Sequence, residues 1–514
     1  MDRLPRWFAG RTATWGLIGA VALLVGLSWY QALITPPYRF TDEQAHAGYV
    51  LAVQRGQLPS IDTRIDAAHG GVALRTRLAA EPPRRRTVWG ANNPPVAYVV
   101  AAPVAAATRA LGLPGGPLLG LRLVNVVAAA AAVALAYRLA RDLAGHDPVI
   151  GLVAAGLVAA TPHLGFVTSL GSTDGLAILA STGVLSALAR TCGAGRAPTD
   201  ERIRGDVREL GLWCAAAAAV RPMALVFAVV AATIALVVVL VRRRCSPWWA
   251  FGWLAVPALL TSGWWYALNV HRYGDPTGSS ALFDRFGRQP AGSLWSTLRL
   301  TGMWQSLLRT IATRRLEAPL PGDPRLWYQA ALAVVVIGTV GTVVLVASST
   351  VRARRPRPAG PTAGARGATR LPGGAWLAVA AVALVPLLLT AQHRAGGGAA
   401  HPRYLLPVVP VVAAAVALVA VRAATRWAGA ALVLGAAAVT ILQTRAAARW
   451  LAANPSGPPG SELVAAYGGE LVRGAGFAVA GLGLALFLVA LAAAPRADGT
   501  DALAQLEGSD PSCT

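Results

Sequence analysis

Residues 16–35, GLIGAVALLVGLSWYQALIT, followed by residues 36–46, PPYRFTDEQAH, decide how this chain is read. Twenty apolar residues at about 1.5 Å of rise each span the ~30 Å hydrocarbon core of a bilayer. The run ends in Pro36-Pro37, and Asp42, Glu43 and His46 follow at once. An arginine-containing flank (Arg3, Arg6, Arg11) precedes the run. It resembles the start of a signal peptide, but the long run and the apolar chain behind it predict an uncleaved anchor.

Apolar runs of this kind recur to the end of the 514 residues. Hydrophobic residues make up 55% of the chain, charged residues only 13%, and mean hydropathy is +0.52. A soluble globular protein is excluded. The net charge of +23 does not point to nucleic acid, because the arginines cluster in short connections at alternate helix ends, as the positive-inside rule requires. No lysine is present. Cys192, Cys214, Cys245 and Cys513 have no metal-like spacing, which argues against disulfides and a zinc site.

Arginine-rich connections place twelve spans, at 16–35, 118–137, 149–168, 174–190, 211–220, 222–241, 248–268, 326–348, 374–391, 403–421, 428–445 and 473–493. The expected architecture is an all-α polytopic bundle of about 12 transmembrane helices with both termini cytoplasmic. Residues 94–112 are apolar too, but a crossing there would export the later arginine clusters. They are expected as a juxtamembrane helix in a first outer loop over 36–117. A second outer loop covers 269–325, residues 350–372 form a cytoplasmic linker, and a flexible tail follows 494. Residues 1–421 are expected as the catalytic region, and 422–493 as generic C-terminal helices.

The outer connections collect the polar residues. Asp42 and Glu43 lie where partial loss of hydration raises carboxylate basicity, although Thr41-Asp42 would equally cap a following helix. His46, three residues beyond Glu43, can share its face. Asn92 and Asn93 precede Pro94-Pro95, a pattern that caps a helix and can also present N–H groups to phosphate. Asp174 either caps its helix or faces the protein interior. Arg221-Pro222 breaks an apolar run, and its cation calls for an anion, either a lipid phosphate or Asp174. His271 and Asp275 border a turn after the Trp264-Trp265-Tyr266 belt. Arg403 offers a fork of donors suited to phosphate, with Tyr404 beside it. An acidic pair for an acceptor and arginines for an anionic donor make a transferase plan. A multi-pass transporter of a polar or anionic substrate is the alternative, using Asp42, Asp174 and Arg221 as charges along its path.

These motifs together resemble the GT-C superfamily of integral membrane glycosyltransferases. They are Asp42-Glu43 with His46, Asn93-Pro94-Pro95, Thr173-Asp174-Gly175-Leu176, Tyr273-Gly274-Asp275-Pro276 and Arg403-Tyr404. The closest flavour is the ArnT-like or protein-mannosyltransferase-like branch, or the related bacterial membrane-protein family opening with Asp-Glu-x-x-His. The resemblance implies transfer of a sugar from a polyprenyl-phosphate-linked donor to a lipid, glycan or protein acceptor outside the cytoplasm of a bacterial plasma membrane. It implies Asp42 as base, Glu43 assisting it or binding the acceptor, and Arg403 and Arg221 on the donor phosphate. Some members require a divalent metal and others do not, and the Asp-Glu pair leaves both open. The chain departs from the pattern at Asn93, where lysine is common, and at Thr173, where asparagine is common.

Overall fold

The computed structural model describes residues 11–40, 42–193, 199–243, 245–313, 324–354, 371–454 and 470–494. The cytoplasmic linker and the tail fall largely or wholly outside these residues. Among the described residues the chain is helical, with one isolated bridge, Arg64 to Thr87, in place of a sheet. In chain order the helices are α1 (Thr12–Ile34), α2 (Glu43–Val53), α3 (Gly71–Ala80), α4 (Val96–Ala110), α5 (Gly116–Leu143), α6 (Pro148–Ala159) and α7 (Pro162–Thr168). Then come α8 (Asp174–Thr191), α9 (Asp200–Ala218), α10 (Pro222–Arg242), α11 (Pro247–Ala258), α12 (Trp264–Tyr273), α13 (Ser279–Arg285), α14 (Leu294–Leu298) and α15 (Thr301–Thr313). The last are α16 (Pro324–Arg354), α17 (Gly373–Ala395), α18 (Val409–Val419), α19 (Arg426–Ala453) and α20 (Glu470–Ala493).

A helix lies at each of the twelve expected positions, but the count of crossings does not carry over unchanged. Among the described residues eight helices are long and apolar enough to cross a membrane, or nine if α6 and α7 form one broken span. These two meet at 61°, because Pro162 has no N–H to continue the helix. The expected short span at 211–220 is the second half of α9, which begins at Asp200 where Thr199 accepts from the Arg202 N–H. Residues 200–208, expected in a connection, are thus helical. The span at 248–268 is interrupted by a π turn, Leu259–Gly263, between α11 and α12.

The chain is a multi-pass membrane protein. The clearest sign is α16: the most apolar window of its Tyr328–Val351 stretch is only 11% buried. Val336, Ile337, Val340, Val343 and Val344 stand exposed on it, a face that water would not tolerate and lipid tails solvate. Helix α4 is short, at about 22 Å by its rise per residue. It packs on α5 at Gly120, where a Cβ would come within 2.6 Å of the Ala105 backbone nitrogen. Helices α1 and α20 cross equally closely. A Cβ on Gly19 would lie 2.6 Å from the Gly483 oxygen, and one on Gly26 2.7 Å from the Gly476 oxygen.

Helix directions separate two polar ends. Helix α5 carries Arg122 near its start and Arg138, Arg141 and Asp142 near its finish, about 30 Å away at most. At that far end Arg138 and Arg190 pair with Glu209, and Arg141 pairs with Asp142. The first outer loop, the start of α8 and the start of α10 gather at the near end.

Candidate active site

Asp42 sits at the entry to α2 with φ of 86°, in the left-handed region that non-glycine residues rarely occupy. A capping role would use its side chain on the helix N–H groups, but no such bond forms. The carboxylate points elsewhere: Oδ2 accepts from Arg403 at 2.6 Å. Its Oδ1 has no hydrogen-bond partner among the described residues. Burial tends to raise the Asp42 pKa, but the Arg403 guanidinium outweighs it and holds the carboxyl below its usual range. Asp42 is therefore ionised at neutral pH.

Asp174 opens α8 nearby and is 4% exposed. It forms an ion pair with Arg221, which also donates to the Thr173 hydroxyl at 2.8 Å. Ser172 Oγ donates to Asp174 Oδ2 at 2.8 Å, and Arg403 approaches the same oxygen at 3.8 Å. Of the two anions offered to Arg221 by sequence, the intramolecular one is in place. Its extended backbone, with φ of −152°, spans the break between α9 and Pro222 at the start of α10. Arg403 thus bridges Asp42 and Asp174, while its own Nε is buried without a hydrogen-bond partner.

These four groups face one cavity of about 550 Å³. His46, Asn93 and Tyr404 line it too. His46 Nδ1 shares a 2.8 Å hydrogen bond with Tyr98, which stacks on Tyr49 at 3.8 Å. Burial drives the His46 imidazole down to about 4, with Arg221 adding to the effect against Asp42 and Asp174. His401 is also brought down to about 4, by burial and then by Arg403. Both rings are neutral at pH 7. Folding with a neutral His46 has a consequence. Between pH 6.5 and 4 the unfolded chain takes up a proton that the folded chain refuses, so stability falls on acidification, by an order of 3 kcal/mol for this residue. His46→Gln is expected to flatten that part of the acid slope in thermal unfolding. An unchanged slope would refute the assignment.

Three sequence candidates are not brought to the cavity. Glu43 turns away, 1% exposed, into a fully buried bond with Arg122, which donates through Nε at 3.0 Å and Nη2 at 3.1 Å. His271 is exposed on α12. Asp275 closes its own turn, accepting from the Thr277 N–H at 2.8 Å, the Thr277 hydroxyl at 2.7 Å and the Ser280 N–H at 3.0 Å. The asparagines cap nothing: Pro95 is the cap residue of α4, Asn93 donates to the Gly90 carbonyl, and Asn92 donates to the Thr277 carbonyl. Asn92 thereby ties the first loop to the 275–279 turn, while Asn93 braces the loop itself.

Sequence reading missed Arg122, the centre of this end of the bundle. It is 0% exposed and donates to the Ala32, Thr35 and Pro36 carbonyls at 2.5, 2.8 and 3.4 Å as well as to Glu43. Glu43 Oε1 in turn accepts from the Gly171 N–H at 2.8 Å. One arginine thereby joins the end of α1, the Asp42 loop and the turn before Asp174. The available signal was an arginine inside an apolar span, which requires a partner.

A metal does not fit here. Among the described residues no three His, Cys, Asp or Glu side chains are placed to hold one, and both cavity carboxylates are engaged by arginines.

No protein-family model matches the chain, and no curated protein matches it. Among solved structures it is similar to ArnT from Cupriavidus metallidurans bound to undecaprenyl phosphate, at 17% identity over 84% of this chain and 77% of that one, with a TM-score of 0.36. It is also similar to the Archaeoglobus fulgidus oligosaccharyltransferase tethered with an acceptor peptide, at 12% identity and a TM-score of 0.42. That match covers 99% of this chain but only 58% of the archaeal one. Both are GT-C glycosyltransferases, the superfamily whose motifs this chain resembles, and at these TM-scores the likeness carries no argument about chemistry.

Proposed function

We propose that this chain is a glycosyltransferase that moves a sugar from a polyprenyl-phosphate-linked donor to an acceptor hydroxyl. The observation that carries the reading is the composition of one cavity. An ionised carboxylate with a free oxygen (Asp42), a half-buried cation (Arg403) and an apolar wall meet in it. The wall consists of Ile178, Met223, Phe227, Pro386 and Pro407, contributed by α8, α10, α17 and the turn before α18. That combination suits a ligand with a lipid tail and an anionic head.

In the proposed step Asp42 Oδ1 accepts the proton of the acceptor hydroxyl. The oxygen attacks the anomeric carbon, the bond from that carbon to the phosphate oxygen breaks, and polyprenyl phosphate leaves with the electron pair. Direct attack inverts the anomeric centre. The Arg403 guanidinium holds the departing phosphate and keeps Asp42 ionised. Arg221 fixes Asp174, which in turn steadies Arg403. Neutral His46 and His401 accept or donate hydrogen bonds without adding charge.

The site lies at the end of the bundle opposite Arg138, Arg141, Arg190 and Arg242. By the positive-inside rule it faces outside a bacterial plasma membrane, with both termini cytoplasmic. Purified protein in lipid, given a panel of radiolabelled polyprenyl-phosphate sugars, is expected to transfer or hydrolyse at least one of them. Turnover of none, together with flux of a polar solute into vesicles, would replace the transferase with a transporter.

A further inference from the structure

The deep part of the cavity is balanced, two carboxylates against Arg221 and Arg403, but its mouth is not. Arg84, Arg85 and Arg288 also line it. They come from connecting segments outside the bundle and not from the spans that build the apolar wall. Arg285 holds the segment that carries the first two. Its Nε donates to the Arg84 carbonyl at 3.2 Å, its Nη2 to the Thr87 hydroxyl at 2.9 Å, and it pairs with Asp62. This clamp draws the turn at 83–85 against the end of α13.

The three cations are left short of anions. Arg84 and Arg288 have no acidic partner among the described residues. Arg85 shares Glu81 at 3.7 Å with Arg77, which holds the same carboxylate at 2.5 Å. Arg288 is half-buried, its guanidinium 5.6 Å from the Phe283 ring and 5.5 Å from that of Phe286. Trp89 meets Phe286 edge-on at 5.8 Å. An arginine held over two rings is oriented and poorly hydrated, which favours a fixed anion over bulk counterions.

We propose that this mouth is a second anion site, and that the acceptor carries a phosphate or carboxylate group which it receives. The inference rests on the transferase reading for the word acceptor, but not for the site. The donor phosphate belongs beside the apolar wall at Arg403, so cations on the outer connections are left for the other substrate. Trp89 and Phe286 add flat surfaces on which a sugar ring can lie.

The test is equilibrium binding of three matched saccharides to the full chain in nanodiscs: one phosphorylated, one a uronic acid, one neutral. Wild type is expected to bind a charged saccharide about ten-fold more tightly than the neutral one, with the preference shrinking in high salt. Which charged form wins distinguishes phosphate from carboxylate. Arg288→Gln and, at the exposed rim, Arg84→Gln are expected to reduce the ratio several-fold, and Arg288→Lys to retain much of it. Equal binding of charged and neutral saccharides by wild type, or variants that weaken all three equally, would overturn the proposal. The two readings fail separately. Anion binding without turnover of any donor keeps the site and loses the transferase. Transfer to neutral acceptors without anion binding does the reverse.

Discussion

Asp42→Asn is expected to reduce sugar transfer by about 10² to 10⁴-fold, the range a positioned general base supplies. The amide matches the carboxylate in shape, and its oxygen can still accept from Arg403, so the folded chain survives while the base is lost. The expectation singles out Asp42 because its Oδ1 is unused, whereas Asp174 has both oxygens committed, to Arg221 on one side and Ser172 on the other. Initial rates of transfer, beside thermal unfolding of the same preparation, decide it. Full activity in a well-folded variant would remove Asp42 from the chemistry and leave Asp174 as the next carboxylate to try.

The second large effect falls on stability. Arg122→Met strips the buried Glu43 carboxylate of its partner and leaves the Ala32, Thr35 and Pro36 carbonyls without the donor they now share. Breaking one side of a buried ion pair costs about 3–5 kcal/mol. Adding Glu43→Leu to the same chain is expected to recover the part due to the bare carboxylate, but not the part due to the carbonyls. Denaturant or thermal unfolding of the two variants in one detergent measures the difference. A single variant as stable as wild type would mean that the arginine anchors nothing. Transfer should fall as well, because Glu43 adjoins Asp42 and its hold on Gly171 fixes the approach to Asp174.

The helical plan was legible because a membrane demands one kind of signal, a long apolar run, and arginine marks one side of it. What that signal could not give was helix continuity. Thr161-Pro162 bends an otherwise uninterrupted run, and α9 starts among Asp200, Glu201 and Arg202, where polarity conceals a helix. At the site, Asp42, Asp174, Arg221 and Arg403 were all visible as charges that an apolar chain must account for, and the fold assembles them. Glu43 follows Asp42 directly, but Asp42 stands in a left-handed turn outside α2, and the two carboxylates go to different partners, Arg403 and Arg122. The partner of Glu43 lies 79 residues on, a distance that no local pattern reports. The aromatic and arginine mouth depends on Arg285 reaching back to the first loop, a contact equally invisible in one dimension.

The glycine crossing of α1 and α20 has a consequence for how the protein is made. The helix that ends at the Asp42 loop packs backbone to backbone against α20, which is synthesised long after it, Gly19 on Gly483 and Gly26 on Gly476. A contact of such long sequence separation forms late. Until α20 is made the first helix waits in the bilayer without this neighbour, and the Asp42 loop that follows it lacks its final support. A polypeptide stalled before α20 would hold nearly every residue of the site and still lack the wall against which the first helix comes to rest.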